Sequence, residues 1–138
     1  MATFVGGCMC GAVRVRAEAE PIFAGVCHCS NCQRLTGSAF SCEVAVPRES
    51  VAIEGETREF RHRGDSGQDL VNTFCPVCGV RVCVEAMVMP GVAMVPVGIL
   101  DDRSFFGGAT HIYCDSAQPW VAFPAGAARF GKAPPMGG

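Results

Sequence analysis

The sequence predicts an all-β domain of short antiparallel strands stapled by metal. Three observations lead there. Short apolar/polar alternating segments are bounded by Gly, Pro and acidic turns, the pattern of half-buried strands. Hydrophobic residues make up 49% of the chain and charged ones 17%, with 17 Gly and 9 Pro, a turn-rich composition that leaves room for few helices. Ten cysteines include two spaced pairs, Cys8-Met9-Cys10 and Cys75-Pro76-Val77-Cys78, on either side of a third cluster, Cys27-His28-Cys29-Ser30-Asn31-Cys32. At 138 residues the chain is one domain by size, read as residues 1–124 with an Ala/Gly/Pro-rich tail at 125–138 that is loose at its end.

The strands follow in chain order. Val13 to Glu18 and Phe40 to Val46 alternate cleanly, so each places one face in the core. Val51 to Ile53 and Thr57 to Arg61 flank Glu54-Gly55-Glu56, which predicts a hairpin with Gly55 at positive φ. Val80 to Glu85, Val92 to Val95 and His111 to Cys114 offer further strands. About eight short strands result, with the cysteine segments in the turns between them.

Composition also excludes partners. A formal net charge of −2 supplies no basic field for phosphates, so nucleic acid is not expected. The weakly polar stretch from Val88 to Leu100 is broken by Pro90 and Pro96 and is too short to span a bilayer, so no membrane partner is expected. The amino terminus lacks the basic-then-apolar pattern of a signal peptide, which places the chain in the cytoplasm. In that reducing setting, cysteines bind metal or do chemistry more often than they form disulfides. The even cysteine count keeps a disulfide-stapled secreted domain as the alternative.

Two thiolates with two residues between them, Pro to stiffen the turn and Gly after it, make Cys75-Pro76-Val77-Cys78-Gly79 a zinc knuckle. Cys8-Met9-Cys10-Gly11 is its counterpart, and together they supply four soft ligands, enough to close a tetrahedral structural zinc. Cys27, Cys29 and Cys32 supply three. That leaves a coordination position free for water or a substrate sulfur, the arrangement of a catalytic zinc. Two zinc ions per chain are therefore expected, one structural and one catalytic. A fourth ligand from His28, Cys42, Cys83, Cys114 or His111 would instead close a second structural site, and a metal-free redox cluster is a further alternative. His28, between two ligands in an extended segment, points away from them and reads as a neighbouring or surface residue. Cys42 and Cys83 read as packing residues, and Cys114 as a thiol available for nucleophilic attack.

With these residues in view, the sequence resembles the glutathione-dependent formaldehyde-activating enzyme family, which also includes centromere protein V. The matching elements are Gly7-Cys8-Met9-Cys10-Gly11-Ala12-Val13, the run from Cys27 to Gly37, and Phe74-Cys75-Pro76-Val77-Cys78-Gly79, with His111-Ile112-Tyr113 and Trp120 towards the end. The resemblance implies a β-tent fold of small antiparallel sheets, structural zinc on Cys8, Cys10, Cys75 and Cys78, and catalytic zinc on Cys27, Cys29 and Cys32. It also implies an S-(hydroxymethyl)glutathione synthase type of activity, a carbon–sulfur lyase reaction joining glutathione to formaldehyde. Glutathione's carboxylates call for cationic partners, for which Arg34, Arg58, Arg61, Arg63 and Arg81 are available. Rival readings are a non-catalytic zinc-stabilised binding module and a methionine sulfoxide reductase-like enzyme using Cys114. The oligomeric state is left open, a homo-oligomer being compatible with the sequence.

Overall fold

A computed structural model describes residues 1–134. The looseness expected at the end of the tail falls on 135–138, outside the described residues. Among the described residues ten strands form: β1 Ala2–Gly7, β2 Arg14–Ala19, β3 Phe23–Cys27, β4 Ser41–Pro47, β5 Val51–Glu54, β6 Arg58–Arg63, β7 Asp69–Phe74, β8 Arg81–Ala86, β9 Val92–Pro96 and β10 Thr110–Ile112. One α-helix, α1, spans Ser30–Thr36.

The strands sort into two sheets. β1, β2 and β5 make a small sheet in the order β1-β2-β5, and the other seven run β10-β3-β4-β9-β8-β7-β6. Every pairing is antiparallel except β10 with β3, which is parallel. The all-β expectation is met. Alternation explains the division of faces: Val15 and Ala17 of β2 turn inward while Arg14 and Arg16 stay exposed, and Val44 and Val46 of β4 meet them from the large sheet. Leu100, Val95, Val82 and Cys83 complete this core, so Cys83 packs as a small apolar residue, with the half-buried Cys42 against it.

The predicted hairpin around Gly55 does not form. Gly55 does take a positive φ of +103°. The strands on either side, however, join different sheets, β5 pairing with β2 and β6 with β7. Local turn chemistry marked a reversal but could not say which neighbour each strand would find. β6 is the outer strand of the large sheet and is exposed along most of its length, with Arg58, Arg61 and Arg63 on it. At the other end of that sheet, residues 128–132 lie along β10 and the turn after it. His111 N–H donates to the Ala128 carbonyl at 2.8 Å, Phe130 N–H to the His111 carbonyl at 2.9 Å, and Cys114 N–H to the Phe130 carbonyl at 3.0 Å.

Candidate metal centres

The first cluster forms where two turns meet. Cys8 and Cys10 lie in the connection from β1 to β2, and Cys75 and Cys78 in the connection from β7 to β8, so one turn comes from each sheet. Each turn is closed across its base: Cys8 N–H donates to the Val13 carbonyl and Cys75 N–H to the Val80 carbonyl, both at 3.0 Å. Gly11 and Gly79 follow the cysteines at φ +82° and +78°, a conformation only glycine adopts freely. A register shift between Thr73 and Phe74 bends β7 just before its knuckle.

All four sulfurs lie within 4.8 Å of one another. Cys8 Sγ is 3.6 Å from Cys10 Sγ, which is 3.7 Å from Cys75 Sγ. A tetrahedron with metal–sulfur bonds of about 2.3 Å has sulfurs about 3.8 Å apart, so the spacing fits a zinc ion. Backbone N–H groups of Val13 and Val77 donate to the sulfurs of Cys8 and Cys75 at 3.3 and 3.4 Å, which favours thiolate. Burial pushes the Cys8 thiol up, but the Val13 N–H and the neighbouring thiols outweigh it and bring it down to about 6. The Ala12 N–H favours the Cys10 thiolate, yet contact with Cys8 and burial win and carry it up to about 11. The Cys8 thiolate is thus favoured unaided and the Cys10 thiolate is not. A cation among them would let the rest follow.

The second cluster grows from one continuous segment. Cys27 ends β3, Cys29 caps α1, and Cys32 lies in the helix's first turn. This helix is absent from the expected elements, which placed the cysteines in a turn. It buries no residue and has no apolar stripe to betray it. The cue available in the sequence is Gly37, which ends α1 in the left-handed conformation. Cys29 Sγ accepts the Cys32 N–H at 3.3 Å, doing for α1 what a serine or aspartate oxygen does at other helix starts.

The three sulfurs lie within 4.8 Å of one another, and no other Cys, His, Asp or Glu among the described residues joins them. His28, Cys42, Cys83, Cys114 and His111 are thus not brought into the group. Hydrogen bonds from Cys27 and Cys32 hold the Cys29 thiol far below its ordinary range, while the same contact with Cys29 drives Cys27 far above it. The contact with Cys27 lowers Cys32, but Cys29 and burial raise it to about 12. The cluster therefore ionises once by itself. Full ionisation needs a positive charge between the sulfurs, and a metal ion is the group that fits.

What stands behind the two clusters differs. Behind the second, His28 is completely buried, so its reading as a surface residue is corrected: the alternation that turns it from the ligands turns it into the protein. Its Nε2 is 3.0 Å from Nδ1 of His111, and Phe40 and Phe123 pack against it. Burial lowers both imidazoles and so favours their uncharged forms, in which one ring can donate to the other. His28 N–H donates to the Ile112 carbonyl at 3.0 Å, which ties the cluster to β10. Glu43, on β4, is buried and faces Arg81 at 3.4 Å, and Arg81 donates to Asn72 Oδ1 at 3.0 Å. Burial raises the Glu43 carboxyl and Arg81 opposes that rise. Of the arginines named as carboxylate partners, Arg81 is thus engaged inside the protein. Arg58, Arg61 and Arg63 lie on β6, whereas Arg34 is on α1 beside the three cysteines.

The sequence reading places Tyr113 in a strand and in the family's closing segment, not among the site residues. It follows Ile112, which pairs with Cys27, and has φ +56° and ψ +39°, a left-handed conformation rare for a bulky residue. Burial, the Asp65 carboxylate and the charges of Cys27 and Cys29 raise its phenol to about 12. Cys114, next in line, is half-buried in a 3₁₀ turn and belongs to neither cluster. No helix among the described residues is long and apolar enough to cross a membrane.

Comparison with known proteins follows the same residues. The model of the family described as glutathione-dependent formaldehyde-activating enzyme matches residues 3–116, which include all seven clustered cysteines. No curated protein matches the chain. Among solved structures, the chain is similar to the crystal structure of a Rhodobacter sphaeroides protein, with 21% identity, a TM-score of 0.60, and coverage of 78% of this chain and 98% of that one. At that identity the likeness speaks for a shared fold.

Proposed function

The chain belongs to the glutathione-dependent formaldehyde-activating enzyme family, and from that premise we propose that it is a zinc-dependent carbon–sulfur lyase that joins a small thiol such as glutathione to formaldehyde or a related aldehyde. Cys8, Cys10, Cys75 and Cys78 would hold the structural zinc and Cys27, Cys29 and Cys32 the catalytic one. The observation that carries this reading is the count of converging sulfurs, four in one cluster and three in the other.

Bound zinc at the three-cysteine cluster would lower the pKa of an incoming thiol and so raise its nucleophilicity at neutral pH. The chain's own residues supply the rest. The Cys32 N–H to Cys29 Sγ bond and the β3–β10 pairing fix the three sulfurs. The His28–His111 pair packs with Phe40 and Phe123 behind the cysteines. In the addition a carbon–sulfur bond forms, the carbonyl π pair moves to oxygen, and the thiol's proton is balanced by one delivered to the new hydroxyl. Tyr113 is the hydrogen-bond donor we assign to that oxygen, since its phenol remains protonated beside Cys27 and Cys29.

The test is zinc per chain in wild type and Cys29→Ser, with glutathione titrated into each. Two ions falling to one, with thiol binding lost, supports the reading. One ion in wild type, or two with no thiol bound, favours the non-catalytic binding module. Because thiols add to formaldehyde spontaneously, turnover is measured against an enzyme-free control and against Cys29→Ser.

A further inference from the structure

Strand β6 pairs, among the described residues, with β7 alone, in a register that runs unbroken from Arg58 opposite Phe74 to Arg63 opposite Asp69. The turn between these strands fixes which main-chain groups of β6 stay open. Gly64 N–H donates to the Gln68 carbonyl at 2.9 Å, and Gly67, at φ +83°, donates its N–H to the Gly64 carbonyl at 3.0 Å. This is a three-residue hairpin turn closed by the Gly64–Gln68 pair. Bonded and non-bonded pairs alternate along an antiparallel ladder, so His62, Phe60 and Arg58 direct their main-chain groups to β7. Glu59, Arg61 and Arg63 turn theirs to the free edge, where no other main-chain group among the described residues meets them.

The side chains divide by the same alternation. Arg61 and Arg63 lie on one face with Glu59, and Arg58 lies on the other with Phe60 and His62. All three arginines are exposed and have no ion pair among the described residues. The chain as a whole has a formal charge of −2, so this positive row is local and not part of a generally basic surface. Charge by itself would only guard an open edge. Phe60 adds something a guard does not need, an apolar ring that is 53% exposed. That ring stacks on His62 with centroids 6.1 Å apart and planes 20° from parallel, and His62 Nδ1 accepts from Nδ2 of the buried Asn72 at 3.0 Å. Open main-chain groups, unpaired guanidinium groups and a steadied apolar ring together match an extended backbone of opposite charge.

We propose that β6 is a docking edge for an acidic, extended segment of another protein, which adds to the large sheet as an antiparallel strand. Main-chain hydrogen bonds to Glu59, Arg61 and Arg63 hold the segment in register. Carboxylates two residues apart meet Arg63 and Arg61, an apolar residue next along covers Phe60, and a further carboxylate faces Arg58. Running antiparallel to β6, that order is Glu-Thr-Glu-Val-Thr-Glu, with neutral residues opposite His62 and Glu59. The edge is independent of the chemistry assigned to the cysteines.

The isotope-labelled full chain, loaded with zinc, is titrated to millimolar concentration with this peptide, acetylated and amidated at its ends, and its amide resonances are followed. Two methylated forms of the same charge separate strand pairing from attraction alone. N-methyl groups on the third and fifth peptide residues block amides that would face β6, whereas on the second and fourth they fall on amides that face away. The unmodified peptide and the second form should shift the amides of Glu59, Arg61 and Arg63, and the first form should not. Arg61→Glu combined with Arg63→Glu, both at exposed positions, should weaken the unmodified peptide about tenfold with circular dichroism unchanged. Equal shifts from both methylated forms would reduce the edge to a patch of charge and overturn the added strand, as would no shift at all. Tighter binding of an oligouridylate of equal charge to the same amides would make this a nucleic-acid edge and overturn the peptide. Shifts of these amides that grow with protein concentration before any peptide is added would place a second copy on the edge and overturn the proposal as well.

Discussion

Cys10 and Cys75 are 65 positions apart and come from turns of different sheets, whereas Cys27, Cys29 and Cys32 occupy one stretch where β3 runs into α1. The first cluster fastens two distant parts of the chain, and buried Cys8 and Cys75 merge into the core between the sheets. The sulfurs of the second all come from that one stretch, which backbone pairing alone ties to β10. This second cluster has a histidine pair and a buried Glu43–Arg81 pair behind it, and a cavity at its side. The same ligand chemistry thus stands in two settings, one suited to holding the fold and one to meeting a small molecule.

The largest test of this contrast is loss of the fold. With a structural metal contributing on the order of 10 kcal/mol, Cys75→Ser should abolish cooperative unfolding, whereas Cys29→Ser should unfold cooperatively and retain one zinc. Similar collapse in both variants, followed by circular dichroism and metal content, would erase the distinction. Next comes metal release. A chelator should strip the three-sulfur site first with secondary structure intact, and structure should be lost only with the second ion. Simultaneous release would mean that the two sites act as one.

A smaller effect probes the polar backing of the second cluster. Arg81→Met leaves the Glu43 carboxylate buried without its partner and should cost about 3 kcal/mol, measured from the urea midpoint, with zinc content unchanged. Loss of a zinc instead would make the pair part of the metal site. The smallest effect is expected from Cys114→Ser, which should alter zinc content and thiol addition by less than about twofold. A sulfoxide reductase activity that disappears in this variant would favour the reductase reading.

The two groups of converging cysteines were legible because a metal site needs few residue types at short spacings, and Cys75-Pro76-Val77-Cys78-Gly79 carries that pattern locally. β2, β4 and β8 were legible from alternation at Val13 to Glu18, Phe40 to Val46 and Val80 to Glu85, each within one residue of the strand that forms. β3 and β7 were not. Phe23 to Cys27 and Asp69 to Phe74 lack strict alternation of apolar and polar residue types. α1 was hidden because a helix with no buried residue has no stripe to read. The partnership of His28 with His111 spans 83 positions, and the chain of side-chain hydrogen bonds from Gln33 through Gln118 to Trp120 depends on pairing between β10 and β3. Such tertiary contacts leave no periodic trace.

The outer strand β6 has a consequence for how these molecules behave in bulk. Its row of Arg58, Arg61 and Arg63 sets like charge against like when two copies approach edge to edge. That repulsion reaches only about 8 Å at physiological ionic strength and about 3 Å in molar salt. Concentrated salt therefore removes the guard on this edge while leaving its open hydrogen-bonding groups in place, and dilute buffer is the condition in which the protein keeps best as separate molecules.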